Sequence, residues 1–394
     1  MVDHSSPMRS VAHAVPSERR ERHRNPGHSR SKGIAAFTAS LAHDLRTPLT
    51  VIQEYAALMR EGLIGDLNVE QQCVLDVIAD RACDLNRVVD NAVDASKLAT
   101  KSYRVWARPC ALRGILARIR PQLLRKAAIR RVDLEFEMSC EAPNIHCDDE
   151  VVGRAIANIV TAALNLCPDG CRMSIAEEVD PDLKEVGIRV SVDGANVDTI
   201  TAFFRDLAKV EKPERDRASQ ICETSLAVTL IDRSLGTLTL ALVDGGASAL
   251  RIGLPIVDPV EILRRHLLRA TRRHSRAERV SLIKATVFDT VDKELSRDVY
   301  NILISSLGRN DLGIELDSNH WLLAVVDWQV RTEALQRRIE RRRAAVNRKR
   351  LGRPLPQVSL RRIGTWKLPN ELARILTTVG GRFEQCAPAN VCAE

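Results

Sequence analysis

Apolar residues recur every three to four positions from Leu41 through Leu45, Leu49, Ile52 and Ala56 to Met59. This spacing draws one stripe along an α-helix and predicts a buried face. Residues 61–66 follow, where Gly62 and Gly65 stop the helix, and Asn68 with Gln71 can cap a second one. Val74, Leu75, Ile78, Ala82, Leu85, Val88, Val89 and Ala92 stripe that second helix, which runs to Leu98. The pattern is a helical hairpin. Two helices cannot cover both stripes unaided, so pairing with a second copy into a four-helix bundle is expected.

Beyond the hairpin the period alternates between two and about 3.6. Strands are expected at 103–106, 132–137, 173–177, 187–192, 238–243 and 249–255, and helices at 112–126, 150–166, 201–207 and 225–235. That order suggests an α/β sandwich, one sheet backed by helices on one face. A basic amphipathic helix at 260–273 then leads to a strand at 279–287, a helix at 292–307 and a strand pair at 312–316 and 321–326. Asp317, Ser318, Asn319 and His320 supply hairpin turn residues between that pair. A helix at 329–349 and a strand at 358–365 complete a ferredoxin-like order. The fold class is multidomain α+β.

Composition sharpens this picture at a few points. Aromatic residues make up 3% of the chain against 45% hydrophobic overall, so the cores must be built of Leu, Val, Ile and Ala. Residues 1–33 are basic with no apolar period and read as a disordered tail. No run of about eighteen apolar residues exists, so no membrane span is expected. No secretory signal is evident either, so a cytoplasmic location is expected. The ten cysteines are then reduced thiols. Cys167 with Cys171, and Cys386 with Cys392, are spaced too loosely for a zinc ribbon, so no metal site is assigned. The net charge is +8, and Arg337, Arg338, Arg341, Arg342, Arg343, Arg348, Lys349 and Arg350 crowd one helix. Because these cations lie on every side without interleaved aromatics, a solvated face is favoured over a nucleic-acid surface.

His43 stands apart from the first stripe. At roughly 100° per residue it lies about 200° from Leu41 and Leu45, so its imidazole should face solvent, with Thr47 one turn further along the same face. Asp44 beside it can take the proton of one ring nitrogen and leave the other as a nucleophile. An exposed imidazole next to an acid is what phosphoryl transfer to nitrogen needs.

The run His43-Asp44-Leu45-Arg46-Thr47-Pro48-Leu49 follows Ser40-Leu41-Ala42 and opens a hairpin ending Asp94-Ala95-Ser96-Lys97-Leu98. It closely resembles the dimerisation and phosphoacceptor domain of two-component sensor histidine kinases. The resemblance implies that His43 is the phosphoacceptor and that Asp44 orients or deprotonates it. It also implies that Thr47 can hold water for dephosphorylating a response regulator, that Pro48 bends the first helix, and that receiver domains of response regulators are the partners.

The following stretch resembles the ATP-binding domain of the same kinases, shared with gyrase-type and Hsp90-type ATPases, so the likeness covers roughly residues 34–256. Its nucleotide motifs are damaged. The family's Asn-x-x-x-Asn-Ala box reads Asn158-Ile159-Val160-Thr161-Ala162-Ala163 here, with Ala162 where an asparagine would hold magnesium and Asn165 where a lysine is expected. The first glycine box keeps only its acid, Asp193, in Asp193-Gly194-Ala195-Asn196-Val197, and the second has no glycine in Ile221-Cys222-Glu223-Thr224-Ser225-Leu226-Ala227. Phosphate loops need glycine to turn consecutive N–H groups inward. Asn158 and Asp193 are thus remnants of an ATP site, and ATP with magnesium would serve as cofactor only if that site still worked.

The last third is weakly similar to the nucleotide-cyclase fold of GGDEF domains. The hairpin 317–321 lacks that motif, so no cyclase activity is assigned and Asp289 is an ordinary loop acid. The expected layout is a tail at 1–33, a phosphoacceptor hairpin at 34–100 that forms a homodimer, and a degenerate ATPase-like domain at 101–257. A degenerate GGDEF-like domain at 258–375 and a second tail at 376–394 follow. Three functions stay open on these residues: a phosphorelay carrier acting through His43, an ATP-dependent protein-histidine kinase, and a docking scaffold or nucleic-acid binder without chemistry. The intact histidine motif beside a glycine-poor nucleotide site favours the carrier.

Overall fold

A computed structural model describes residues 26–99, 103, 105–138, 141–193, 198–209, 223–242, 248–273, 279–289, 292–308, 310–326 and 332–383. The chain divides into two compact units, Met1–Ser96 and Lys97–Glu394.

The first unit is the expected hairpin, α1 (Pro26–Arg60) and α2 (Val69–Ala99). Helix α1 starts inside the stretch expected to be a disordered tail. Proline suits the first helical position, and a helix already nucleated by the apolar stripe extends cheaply through polar residues. Residues 1–25 of that tail lie outside the described residues. At the turn Gly62 and Gly65 take φ of 73° and 121°. Asn68 and Gln71 exchange bonds, each backbone N–H donating to the other's side-chain oxygen at 3.0 and 2.8 Å, which is a capping box.

The stripes are only partly buried within one chain. Ala42, Leu49 and Ala56 on α1 and Leu75, Ala82, Val89 and Val93 on α2 form the seam. Leu41, Leu45, Ile52 and Met59, and Val74, Ile78, Leu85 and Val88, remain exposed. The expected single buried face is thus two faces. Alanines at the seam bring the helices close, and the larger residues flank it.

The second unit begins with β1 (Arg108–Cys110), α3 (Leu112–Ile129), β2 (Asp133–Glu137), β3 (Ile145–Cys147), α4 (Asp149–Leu166), β4 (Arg172–Asp180) and β5 (Glu185–Asp193). It continues through α5 (Asp198–Lys209), α6 (Glu223–Arg233), β6 (Thr237–Leu242) and β7 (Ser248–Pro255). Five strands form a mixed sheet in the order β2-β4-β5-β7-β6, in which β2 runs parallel to β4 and the other pairs are antiparallel. Ile156, Ile159, Val160 and Ala163 of α4 sit in the core formed with this sheet, where Met173, Ile175, Ile188, Val190 and Ile252 are buried. The strand expected at 103–106 falls instead at β1, which pairs antiparallel with the unforeseen β3. Asp148 starts α4 by accepting from Val151 N at 3.2 Å and also accepts from Trp106 N at 3.0 Å.

The chain then forms α7 (Pro259–Arg273), β8 (Arg279–Thr286), α8 (Lys293–Ser306), β9 (Leu312–Asp317), β10 (His320–Val326), α9 (Thr332–Asn347), β11 (Ser359–Lys367) and α10 (Leu372–Phe383). The antiparallel sheet order β11-β8-β10-β9 is the split arrangement of ferredoxin-like domains. Its two faces are both covered. Trp321, Leu323 and Val325 pack with α8 and α9, while Leu322, Ala324 and Val326 pack with α7 and α10. Helix α10 corrects the expected tail at 376–394, whose residues 384–394 lie outside the described set. Gly380 and Gly381 disguised it, since glycine disfavours helix interiors.

A buried ionic network fixes α7 to the middle sheet. The Glu185 carboxylate accepts from Arg251 Nη1 at 2.6 Å, Arg265 Nη1 at 2.8 Å and Thr237 Oγ1 at 2.9 Å. Arg265 Nε in turn donates to Glu261 at 2.6 Å.

Candidate functional site

Helix α1 projects His43 away from the hairpin seam, as its angular position requires. The imidazole is 83% exposed and the neighbouring Asp44 side chain 72% exposed. Nδ1 of His43 lies 3.6 Å from Oδ1 of Asp44, close enough for attraction and too far for a hydrogen bond. Residues i and i+1 of a helix do not face each other, so the expected proton acceptance by Asp44 needs a small side-chain rotation. Thr47 shares the face. Its hydroxyl donates to the His43 carbonyl at 3.2 Å, which leaves the oxygen's lone pairs free to accept from water. Pro48 lies within α1 and has no N–H to give the carbonyl of Asp44, a local interruption of the helical ladder one turn from the imidazole.

What holds this face in register was not foreseen. Arg46 Nη2 reaches Asp90 Oδ1 on α2 at 2.5 Å. Further along, Asn86 Nδ2 donates to Gln53 Oε1 at 3.1 Å, and Gln53 Nε2 approaches Cys83 Sγ at 3.3 Å. These cross-links join residues thirty or more positions apart, and only the hairpin fold brings them together.

The nucleotide remnants are dispersed through the second unit. Asn158 is buried within α4, Ala162 is half-buried one turn later, and Asn165 is exposed. Asp193 is exposed at the end of β5. Residues 194–197, most of the first glycine box, and Ile221 and Cys222 of the second lie outside the described residues, while Glu223 to Ala227 of the second open α6. Among the described residues no group of His, Cys, Asp or Glu is clustered to hold a metal ion. No described helix is long and apolar enough to cross a membrane.

Residues 34–101 match the His Kinase A (phospho-acceptor) domain. Over 158 residues the chain is 22% identical to the alginate biosynthesis sensor protein KinB of Pseudomonas aeruginosa, covering 40% of this chain and 27% of that one. Over 240 residues it is 24% identical to the non-motile and phage-resistance protein of Caulobacter vibrioides, covering 58% and 28%. The phosphate regulon sensor protein PhoR of Pseudomonas aeruginosa is 24% identical over 204 residues, 50% of this chain and 44% of that one. The match therefore spans less than half the length of each relative. Among solved structures, the Acinetobacter baumannii histidine kinase AdeS aligns over 55% of this chain and 98% of its own at 13% identity, with a TM-score of 0.33. The cytoplasmic segment of histidine kinase QseC aligns over 43% and 95% at 8% identity, with a TM-score of 0.32. The hairpin at 34–101 thus matches the phospho-acceptor domain of histidine kinases.

Proposed function

We propose that this chain is a homodimeric phosphotransfer protein in which His43 takes a phosphoryl group from one response-regulator aspartate and passes it to another. The observation that carries this reading is the His43 ring, 83% exposed with a carboxylate 3.6 Å from Nδ1. A proton kept on Nδ1 and turned toward Asp44 leaves the lone pair on Nε2. In the forward step the acyl phosphate O–P bond of the receiver breaks, its carboxylate leaves with the electron pair, and an Nε2–P bond forms. The reverse step loads the second receiver. Thr47 would hold the water that hydrolyses a receiver's phosphate.

The dimer is supported by the exposed half of the stripes. Leu41, Leu45 and Ile52 with Ile78, Leu85 and Val88 form apolar faces that a second hairpin would cover in a four-helix bundle. Receiver domains are cytoplasmic partners, so this reading puts the protein in the cytoplasm.

ATP has no part in it. Ala162 has no oxygen to offer magnesium, and Asp193 alone represents its glycine box, so these residues do not fit a magnesium nucleotide. The basic helix α9 is engaged within the fold: Arg343 bonds Glu340 and the Leu355 carbonyl, and Arg350 just beyond it bonds Asp298. That favours a structural face over a nucleic-acid surface.

The test is to incubate the full chain and a His43→Gln variant with labelled ATP and magnesium, and separately with a labelled phosphorylated receiver domain. Label from the receiver alone, absent in the variant, is expected. Label from ATP would instead establish a kinase, and label from neither a docking scaffold.

A further inference from the structure

Cys110 at the end of β1 and Cys147 at the end of β3 bring their sulfurs to 3.4 Å. The strands form a two-stranded antiparallel sheet in which Cys110 stands opposite Ile145 and Cys147 opposite Arg108. The cysteines are therefore diagonal neighbours, offset by two residues on one face, and their side chains converge across the ribbon. A disulfide holds its sulfurs at about 2.05 Å. The remaining gap is closed by side-chain rotation and a slight shift of β1, which pairs with β3 alone in its sheet.

Exposure divides the pair. Cys110 is half-buried and Cys147 is 0% exposed, so a small oxidant reaches the first sulfur and not the second. Their protons are unequally held as well. A hydrogen bond from the Cys147 thiol, with the Cys147 backbone N–H and the Arg108 guanidinium, holds Cys110 below the ordinary thiol value against burial and the Asp149 carboxylate. The same bond, with burial and the Asp148 and Asp149 carboxylates, pushes Cys147 up. Because the thiolate is the nucleophile, Cys110 reacts first and Cys147 keeps its proton until the second step. Cys167 is the contrasting case, 2% exposed and pushed up to about 11 by burial, an inert thiol.

From one reachable sulfur, one sheltered sulfur and the contact between them, we infer that Cys110 and Cys147 are a peroxide-sensitive dithiol that closes a reversible disulfide. The Cys110 thiolate attacks one oxygen of hydrogen peroxide, the O–O bond breaks, an S–O bond forms, and the departing hydroxide takes up the proton Cys110 had released. The Cys147 sulfur then gives up its proton and attacks the Cys110 sulfur. The S–O bond breaks and hydroxide leaves with that proton as water. Each thiol loses one electron, and one peroxide becomes two waters. A dithiol reductant restores both thiols by exchange. The new bond lies where the chain around β1 already holds the start of α4, Trp106 N to Asp148 at 3.0 Å and Arg108 to Asp149 at 3.0 Å. It converts that non-covalent attachment into a covalent one.

The experiment treats the reduced full-length protein with hydrogen peroxide, alkylates the remaining thiols and maps unreduced peptides by mass spectrometry. A linked Cys110–Cys147 peptide, two hydrogens lighter than the separate pair, is expected before the exposed Cys73 is oxidised, and dithiothreitol should return both thiols. Cys147→Ala should stop Cys110 at the sulfenic acid, which dimedone traps, and Cys110→Ser should leave Cys147 a free thiol. Circular dichroism establishes that both variants are folded, and the peptide map of the unaltered protein stands independently of them. The proposal is overturned by absence of the linked peptide, by sulfinic acid at Cys110 while Cys147 stays free, or by oxidation of Cys73 ahead of the pair.

Discussion

Arg46 on the first helix of the hairpin and Asp90 on the second meet at 2.5 Å, within a turn of the His43 imidazole. The guanidinium is half exposed and the carboxylate about a quarter exposed, so solvent screens much of their attraction. Asp90→Ala should therefore cost no more than about 1 kcal/mol in denaturant unfolding. Adding Arg46→Ala should cost little more, because each change removes the same contact, and a double-mutant cycle measures this directly.

His43→Gln should abolish labelling from a phosphorylated receiver while leaving the helical circular dichroism unchanged, because an exposed side chain contributes nothing to the seam. Thr47→Ala should separate two activities. Labelling of His43 is expected to persist and receiver dephosphorylation to fall, and since alanine favours a helix by a few tenths of a kcal/mol over threonine, lost stability cannot account for the fall. Unchanged dephosphorylation rates would remove Thr47 from the chemistry.

Glu185 is the hub of the joint between the middle sheet and α7, 2% exposed and bonded to two arginines. Glu185→Ala leaves Arg265 with Glu261 alone as counter-charge and Arg251 with only the more distant Asp180 at 3.5 Å and Glu178 at 3.7 Å, and should cost about 3 kcal/mol. Replacing Glu185, Arg251 and Arg265 together by Leu, Met and Met should recover much of that loss, as apolar packing removes the charges that need compensation. Gly253→Ala attacks the same point sterically, since its methyl would land on the Glu185 carboxylate and 2.6 Å from Thr237 Oγ1. Guanidinium unfolding of the four proteins gives the order.

His146 makes stability depend on pH. Burial lowers it from 6.5 to about 4, so the unfolded chain binds a proton that the folded one refuses between those values. Stability is then intact above pH 6.5 and falls as pH drops toward 4, by roughly 3 kcal/mol at the lower end. Asp148 and Glu315, both raised by burial, act in the opposite sense at the acid end. The informative quantity is thus the difference between the unaltered protein and His146→Gln, whose profile should be flatter between pH 4 and 6.5.

Much of the architecture could be read from period and turn chemistry. The hairpin, its capping box and the run Trp321 to Val326 follow from local signals strong enough to survive folding unchanged. Strands β1 and β3 were hidden because three residues cannot display an alternation, and Pro109, Cys110, His146 and Cys147 carry little strand preference. The exposure of His43 was legible as an angle on a helix. Its supporting contact was not, because Arg46 and Asp90 are 44 residues apart and nothing local links them. The contact between Cys110 and Cys147 is hidden for the same reason, its sulfurs meeting across 37 positions of chain.

The doubly covered last sheet also limits where the molecule can be cut. A fragment ending before Leu372 would lose α10 and bare Val280, Leu282, Leu322 and Ala324, residues that now never meet water. Such a truncation should precipitate or self-associate on expression, so a workable boundary for isolating this domain falls after Phe383.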